Sequence, residues 1–185
     1  MDKKKVLVTG AGRGIGRAIA LAAAKAGYEV IAHYNRSSKP AAELKAQIEA
    51  GGGTCHLIQF DVSDRADCRK KLEALWEEQG PLWGIVCNAG ICSDNTFVAL
   101  SDEQWDSVIN TNLNGFYNVL SPLVMPMCRK KKGGRAMPVP AGDDINTLCV
   151  QQRYSVTALQ RYMYCIFILL LYVYDPASDS LPVTM

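Results

Sequence analysis

Short apolar runs alternate along this chain with longer stretches in which apolar residues return at helical spacing. Val6-Leu7-Val8 is the first run, long enough for a buried strand, and it breaks at Thr9-Gly10 into a glycine-rich turn. Ile15, Ile19, Leu21, Ala22 and Ala23 then begin an apolar stripe. The stripe predicts a helix from about Ile15 to Ala26, stopped by Gly27. Tyr28 to Tyr34 reads as a second strand. Pro40 to Ala50 reads as a helix with Ala41, Leu44 and Ile48 on its apolar face, ended by Gly51-Gly52-Gly53. Cys55 to Phe60 is a third expected strand, closed by Asp61-Val62. Ser63 is expected to cap the next helix, with Cys68, Leu72, Leu75 and Trp76 on one face and Gly80-Pro81 as its stop. Leu82 to Cys87 is a fourth strand, with Asn88-Ala89-Gly90 at its end. Ser101 and Gln104 form a capping box for a long helix from Asp102 to about Lys132. Its buried side is expected to carry Trp105, Val108, Ile109, Leu113, Phe116, Leu120 and Val124.

Strands alternating with helices at this pace imply an α/β fold with a parallel, doubly wound sheet. In such sheets ligands bind at the carboxyl ends of the strands. Gly10, Asp61 and Asn88 each follow a strand, so one site can use all three. The turn at Gly10 to Gly16 sits between a strand and a helix, which is the context a dinucleotide site needs. Its glycines allow a tight turn and close approach, and the N–H groups at the helix start attract a phosphate.

Past Gly134 the pattern degrades. A fifth strand is expected at Ala136 to Pro140, but Pro138 and Pro140 cannot donate to a central ladder. Gly142-Asp143-Asp144 reads as a turn, and Gln151 to Arg161 is weakly helical. Tyr162 to Tyr174 is a continuous apolar run, shorter than the roughly 20 residues of a membrane span. It is expected to be a buried strand or an exposed sticky segment. The sheet is therefore expected to be incomplete at its C-terminal side, with residues 1–135 forming the nucleotide-binding part and 136–185 a divergent or truncated segment of the same domain.

Composition changes little in this picture. The 185 residues suffice for one domain with a real core, and 49% hydrophobic with 21% charged content is ordinary for a soluble globular protein. A net charge of +2 gives no reason to expect a nucleic-acid partner. The seven cysteines are scattered without a C-x-x-C pair, and there are two histidines, His33 and His56, so no metal site is expected. Only three apolar residues follow Lys3-Lys4-Lys5 before Thr9-Gly10, too few for a secretory signal. A reducing, cytoplasmic setting with free thiols is the expectation.

Thr9-Gly10-x-x-x-Gly14-x-Gly16, then Asn88-Ala89-Gly90, then Asn112 in Thr111-Asn112-Leu113 together resemble the short-chain dehydrogenase/reductase family. H-Y-N-R-S at His33 to Ser37 and W-D-S-V-I-N-T-N-L-N-G-F-Y-N-V at Trp105 to Val119 are similar to its 3-oxoacyl-carrier-protein reductases. The resemblance covers roughly Lys3 to Arg135 and implies a Rossmann-type fold. It implies that Gly10, Gly14, Ile15 and Gly16 carry a coenzyme pyrophosphate, and that Asp61 and Val62 border the adenine. Asn88, Ala89 and Gly90 would border the adenosine ribose and hold the central strands together, with Cys87 replacing an asparagine often found there. Asn112 would help hold a water in a proton relay.

An NAD site usually places an acidic residue about 20 positions after the glycines. Here that place holds Tyr34-Asn35-Arg36. Arg36, with Arg13 inside the glycine loop and Asn35 beside it, suits the 2′-phosphate of NADP(H). The basic run Arg129 to Lys132 falls in the last turn of the expected long helix, where cations complement the dipole; it is also a patch that could draw an acidic acyl carrier protein.

The implied reaction is reduction of a 3-oxoacyl thioester, with a tyrosine as proton donor, a lysine lowering its pKa and a serine on the carbonyl. Counting from Gly134-Arg135, the tyrosine falls on Tyr154, but Ala158 stands where the lysine belongs and Ala141 where the serine belongs. Two readings follow. One is an NADPH-dependent reductase by descent, with activity weakened or lost, a homo-oligomer through the helix at 102–132. The other is a truncated or altered product that only binds nucleotide, or an inactive subunit paired with an intact paralogue.

Overall fold

The computed structural model describes residues 3–93, 95–129 and 135–138. Five strands and the helices between them appear in alternation: β1 (Lys5–Val8), α1 (Gly14–Lys25), β2 (Glu29–Tyr34), α2 (Ser38–Ala50), β3 (Cys55–Gln59), α3 (Arg65–Gln79) and β4 (Gly84–Cys87). There follow α4 (Asp102–Ile109), a π-helical segment (Asn110–Asn114), α5 (Gly115–Arg129) and β5 (Arg135–Pro138). The strands are parallel in the order β3-β2-β1-β4-β5. The expected α/β, Rossmann-type doubly wound sheet is therefore present. Its order reverses between β1 and β4, the switch point at which such sheets bind ligands.

The continuous apolar runs follow from burial on both faces. In β1, Val6 and Val8 face one cluster with Val30, Ala32, Leu44 and Ile48, under α1 and α2. Leu7 faces the other, with Ile31, Phe60, Leu72, Ile85 and Leu123, under α3 and α5. Burying a leucine or phenylalanine side chain stabilises by about 1.5–3 kcal/mol, so these two layers fix the strand ends that carry the site. The faces read from the sequence for α2 and α3 are as expected: Ala41, Leu44 and Ile48 are buried, as are Cys68, Leu72 and Leu75.

Four expectations need correction. Ala22 is exposed rather than part of the α1 stripe, whose buried members are Gly16 and Ala20. Ser63 does not cap α3. Its N–H and hydroxyl both donate to Asp61 Oδ1, at 2.9 and 2.7 Å, and Asp64 takes the cap, accepting from Ala66 and Asp67 N–H at 2.9 and 3.0 Å. The long helix from Asp102 runs on to Arg129 but does not keep one pitch. The capping box at Ser101 and Gln104 forms, but α4 gives way to the π segment after Ile109. Trp105 is 53% exposed rather than on a buried side. The fifth strand expected near Ala136 is present at Arg135–Pro138, paired with β4 in register Gly84 with Arg135 and Cys87 with Pro138. Pro138, opposite Cys87, belongs to this ladder, on the side of β4 away from β1. Tyr154, Ala141, Ala158 and the run Tyr162 to Tyr174 lie outside the described residues.

Candidate coenzyme site

The carboxyl ends of β1 and β4 are stitched together by side chains. Thr9, buried, accepts at its hydroxyl oxygen from the N–H groups of Asn88 and Ala89, each at 2.9 Å, and donates to Val86 C=O at 3.3 Å. The Asn88 carboxamide returns the link, its Nδ2 donating to Thr9 C=O at 2.9 Å and Gly10 C=O at 3.3 Å. The Gly10 turn is thus fixed against the start of the Asn88-Ala89-Gly90 segment.

From that anchor the backbone enters α1 with its donors open. The side chain of the N-cap residue Arg13 accepts no hydrogen bond from the first turn, and the first main-chain bond runs from Arg17 N–H to Arg13 C=O at 3.2 Å. Gly14, Ile15 and Gly16 therefore sit in the opening turn, where a helix offers N–H groups no backbone acceptor and its dipole favours an anion. The backbone there admits no Cβ at Gly16. A Cβ on Gly16 would lie 2.4 Å from both Asn88 Nδ2 and Gly10 O, while Gly14 has φ +55° with open space around it. This cradle fits a pyrophosphate: close backbone, unspent donors and no bulk between them.

A second group gathers at the ends of β2 and β3. Burial alone would raise the Asp61 carboxyl, but hydrogen bonds from the Ser63 hydroxyl and N–H and from the Asn35 side chain, with the Arg36 charge, hold it below the usual carboxylate range. Asn35, Arg36 and Asp61 are thereby brought to one lip of the site. Val62 is buried beneath it, and the Arg13 and Arg36 side chains are exposed. Asn118 of α5 supports this lip from below, donating to Val62 C=O at 3.0 Å and accepting from Arg65 Nε at 2.9 Å.

Asn112 stands on the π segment, across the strand ends from the glycine turn. Its carboxamide pairs with the backbone of Ile91, Nδ2 donating to the C=O and Oδ1 accepting from the N–H, both at 2.9 Å. The pair holds the segment after Gly90 against the π turn. A cavity of about 10 Å³, room for about one water, lies among Thr9, Cys87, Ala89, Asn112 and Phe116. The widened π turn is a common device where a helix must present backbone to a site. Cys87 at its wall has its thiol pushed up to about 12 by burial, so it is no nucleophile.

Two residues of this site were not legible in the sequence. His33 reads as an ordinary β2 residue, yet its ring joins Gly10 N–H to Phe60 C=O. Asn118 reads as a polar interruption of an apolar helix face. A polar residue repeated within a buried stripe was the only available signal. Among the described residues no group of three or more His, Cys, Asp or Glu could hold a metal. None of the described helices is long and apolar enough to cross a membrane.

Strand order, glycine turn and paired strand ends define a nucleotide-binding Rossmann protein, and comparison with known proteins narrows the class. The family model for short chain dehydrogenases matches residues 4–155, and the chain belongs to that family. It is similar to the 3-oxoacyl-[acyl-carrier-protein] reductase FabG of Aggregatibacter actinomycetemcomitans, 46% identical over 130 residues, covering 70% of this chain and 54% of that protein. FabG of Staphylococcus aureus strain Mu50 is 38% identical over 130 residues, covering 70% of this chain and 53% of its own length. The chain thus spans about half the length of these curated relatives. Among solved structures, an alcohol dehydrogenase of the archaeon Thermococcus sibiricus, complexed with 5-hydroxy-NADP, superposes with a TM-score of 0.68 at 28% identity, over 74% of this chain and 57% of the other.

Proposed function

We propose that this chain binds NADP(H) and descends from reductases of 3-oxoacyl thioesters, with catalysis impaired. The observation that carries the coenzyme reading is the cradle at Gly14 to Gly16 joined to a lip of Asn35, Arg36 and Asp61 that offers a guanidinium beside the one carboxylate. Gly10, Gly14, Ile15 and Gly16 would hold the pyrophosphate, and Arg13 and Arg36 the 2′-phosphate, by charge-assisted hydrogen bonds. Asp61 and Val62 would border the adenine, and Asn88, Ala89 and Gly90 the ribose. The relatives named for 3-oxoacyl-carrier-protein reduction and the NADP derivative in the solved neighbour support the same reading.

The bound nicotinamide would supply a hydride to the substrate carbonyl. This protein would supply orientation and a proton, with Tyr154 the candidate donor and Asn112 a holder of relay water. A phenol has a pKa near 10 and needs a neighbouring cation to act near neutrality. Ala158 and Ala141 at the family's lysine and serine positions remove both helpers, which is why the rate is expected to be low. General-acid help is typically worth roughly 10²- to 10⁴-fold. Acyl thioesters, free or on an acidic carrier protein, are the substrate class. A homo-oligomer through 102–132, or pairing with an intact paralogue, is the expected assembly.

The second reading, a nucleotide-binding protein without catalysis, is favoured by the same two alanines. Calorimetric titration with NADPH and NADH, and turnover of an acetoacetyl thioester, separate the cases. NADPH is expected to bind about tenfold or more tightly than NADH, a preference that Arg36→Ala abolishes. Equal affinities overturn the assignment of Arg13 and Arg36. Turnover near background is expected, and a family-typical rate overturns the impairment.

A further inference from the structure

Thr9, His33 and Asn118 are the buried polar side chains among the described residues. Thr9 joins strand ends and Asn118 supports the Asp61 lip, but His33 lies between the two halves of the coenzyme site and touches both. Gly10 N–H donates to its Nδ1 at 3.2 Å, so that nitrogen holds the lone pair. The proton of the neutral ring then sits on Nε2, which donates to Phe60 C=O at 2.9 Å. Ala11 N–H donates to the backbone carbonyl of His33, also at 2.9 Å. One residue thus takes up the N–H groups of Gly10 and Ala11 and leaves the open turn at Gly14 to Gly16 for the anion. Its far side is fixed to the carbonyl that directly precedes Asp61.

The ring also lies against Phe60, centroids 4.0 Å apart. Burial pushes its pKa down to about 4, against the opposing pull of the Phe60 carbonyl and the Asp61 charge, so it is neutral near pH 7. A protonated ring could not accept from Gly10, and a mobile one could not hold two loops at once.

We propose that His33 is the positioning residue of this site, a single-tautomer bridge that fixes the spacing between the pyrophosphate turn and the adenine turn. The inference rests on the coenzyme reading above, and its test is built to fail separately from it. Asn in place of His can offer Oδ1 near the Nδ1 position, and Gln can offer Nε2 near the ring Nε2. His33→Asn therefore retains the acceptor for Gly10 and His33→Gln retains only the donor to Phe60.

NADPH and adenosine 2′-phosphate are titrated calorimetrically into the wild-type protein and both variants. His33→Gln is expected to weaken NADPH about tenfold, the scale of one buried hydrogen bond, and His33→Asn by about threefold or less. Adenosine 2′-phosphate lacks the pyrophosphate and would meet the glycine loop only through the Arg13 side chain, so it is expected to bind all three alike. Unchanged NADPH affinity in His33→Gln, or loss of both ligands together, overturns the proposal. Amide exchange at Gly10, measured without nucleotide, is expected to be slow in wild type and His33→Asn and fast in His33→Gln. If that pattern holds while wild type takes up no NADPH, the bridge stands and the coenzyme reading falls. If neither variant folds, the ¹⁵N spectrum of the wild-type ring decides: a proton on Nδ1 at pH 7 overturns the bridge, and a proton on Nε2 supports it.

Discussion

The turn after β1 and the arm that runs from α4 to α5 meet at the same strand ends, and they are built on opposite terms. At the turn, Thr9 is 1% exposed and its hydroxyl is committed to Asn88, Ala89 and Val86. Its backbone leaves no room for a Cβ at Gly16. On the arm, α4 has no buried residue, and Trp105, Tyr117 and Met125 are 53, 48 and 57% exposed. The arm also changes helical pitch at Asn110–Asn114, and α5 carries Pro122 and Pro126 inside it. The nucleotide seat is thus specified by contacts within itself. The arm is held by its buried side, Phe116, Val119, Leu120 and Leu123, and leaves Trp105, Tyr117 and Met125 exposed on the other.

The contrast can be broken most severely at Gly16. Gly16→Ala forces a methyl against the Gly10 carbonyl and Asn88, neither of which can yield without opening the strand stitch. A loss of about 3 kcal/mol or more in urea unfolding is expected, together with loss of nucleotide binding. Gly14→Ala, with open space and φ +55°, is expected to cost only about 1–2 kcal/mol for the left-handed backbone. Equal costs at the two positions would show that the turn is not close-packed as described.

Acid offers a second test, of similar size and confined to the seat. His33 in the unfolded state takes a proton below about 6.5, but in the fold only below about 4. The unfolded state therefore binds more protons in that window, and stability rises with pH across it. Acidification from about pH 6.5 to 4 is expected to remove about 3 kcal/mol, read from urea midpoints, and the slope should shrink in His33→Asn. Asp61, whose carboxyl is held low, adds a loss in the same direction as pH falls through the carboxylate range. A flat profile above pH 4 would contradict the neutral buried ring.

The smallest effect belongs to the arm. Ser101→Ala removes the capping box of α4 at a cost of about 1 kcal/mol, and nucleotide affinity is expected to stay unchanged. A matching loss of affinity would show that the arm and the seat are coupled after all.

The same division explains what the sequence disclosed. The glycine turn, the four strands before residue 90 and the faces of α2 and α3 rest on local periodicity and turn chemistry, and they were legible. Ser101 and Gln104 announced their cap because both partners lie within one turn. The π segment was not legible, because its pitch changes where Asn112 meets Ile91, a contact across 21 residues. Ser63 lost its cap to Asp64 because α3 starts at Arg65, which puts the Asp64 carboxylate within reach of Ala66 and Asp67 N–H. Trp105 suited an apolar stripe drawn at one constant pitch, and the π turn after Ile109 shifts the face of α4 relative to that of α5. His33 is the clearest case: nothing in its neighbours reveals that Gly10 and Phe60 converge on it.

The seat proposed for a phosphorylated nicotinamide coenzyme is preformed at the ends of β1, β2 and β4. A crystal structure of the protein grown with NADPH tests it most directly. The pyrophosphate is expected within hydrogen-bond distance of the N–H groups of Gly14, Ile15 and Gly16, and the 2′-phosphate against Arg36. A coenzyme seated away from that turn, or a 2′-phosphate turned from both Arg13 and Arg36, would contradict it.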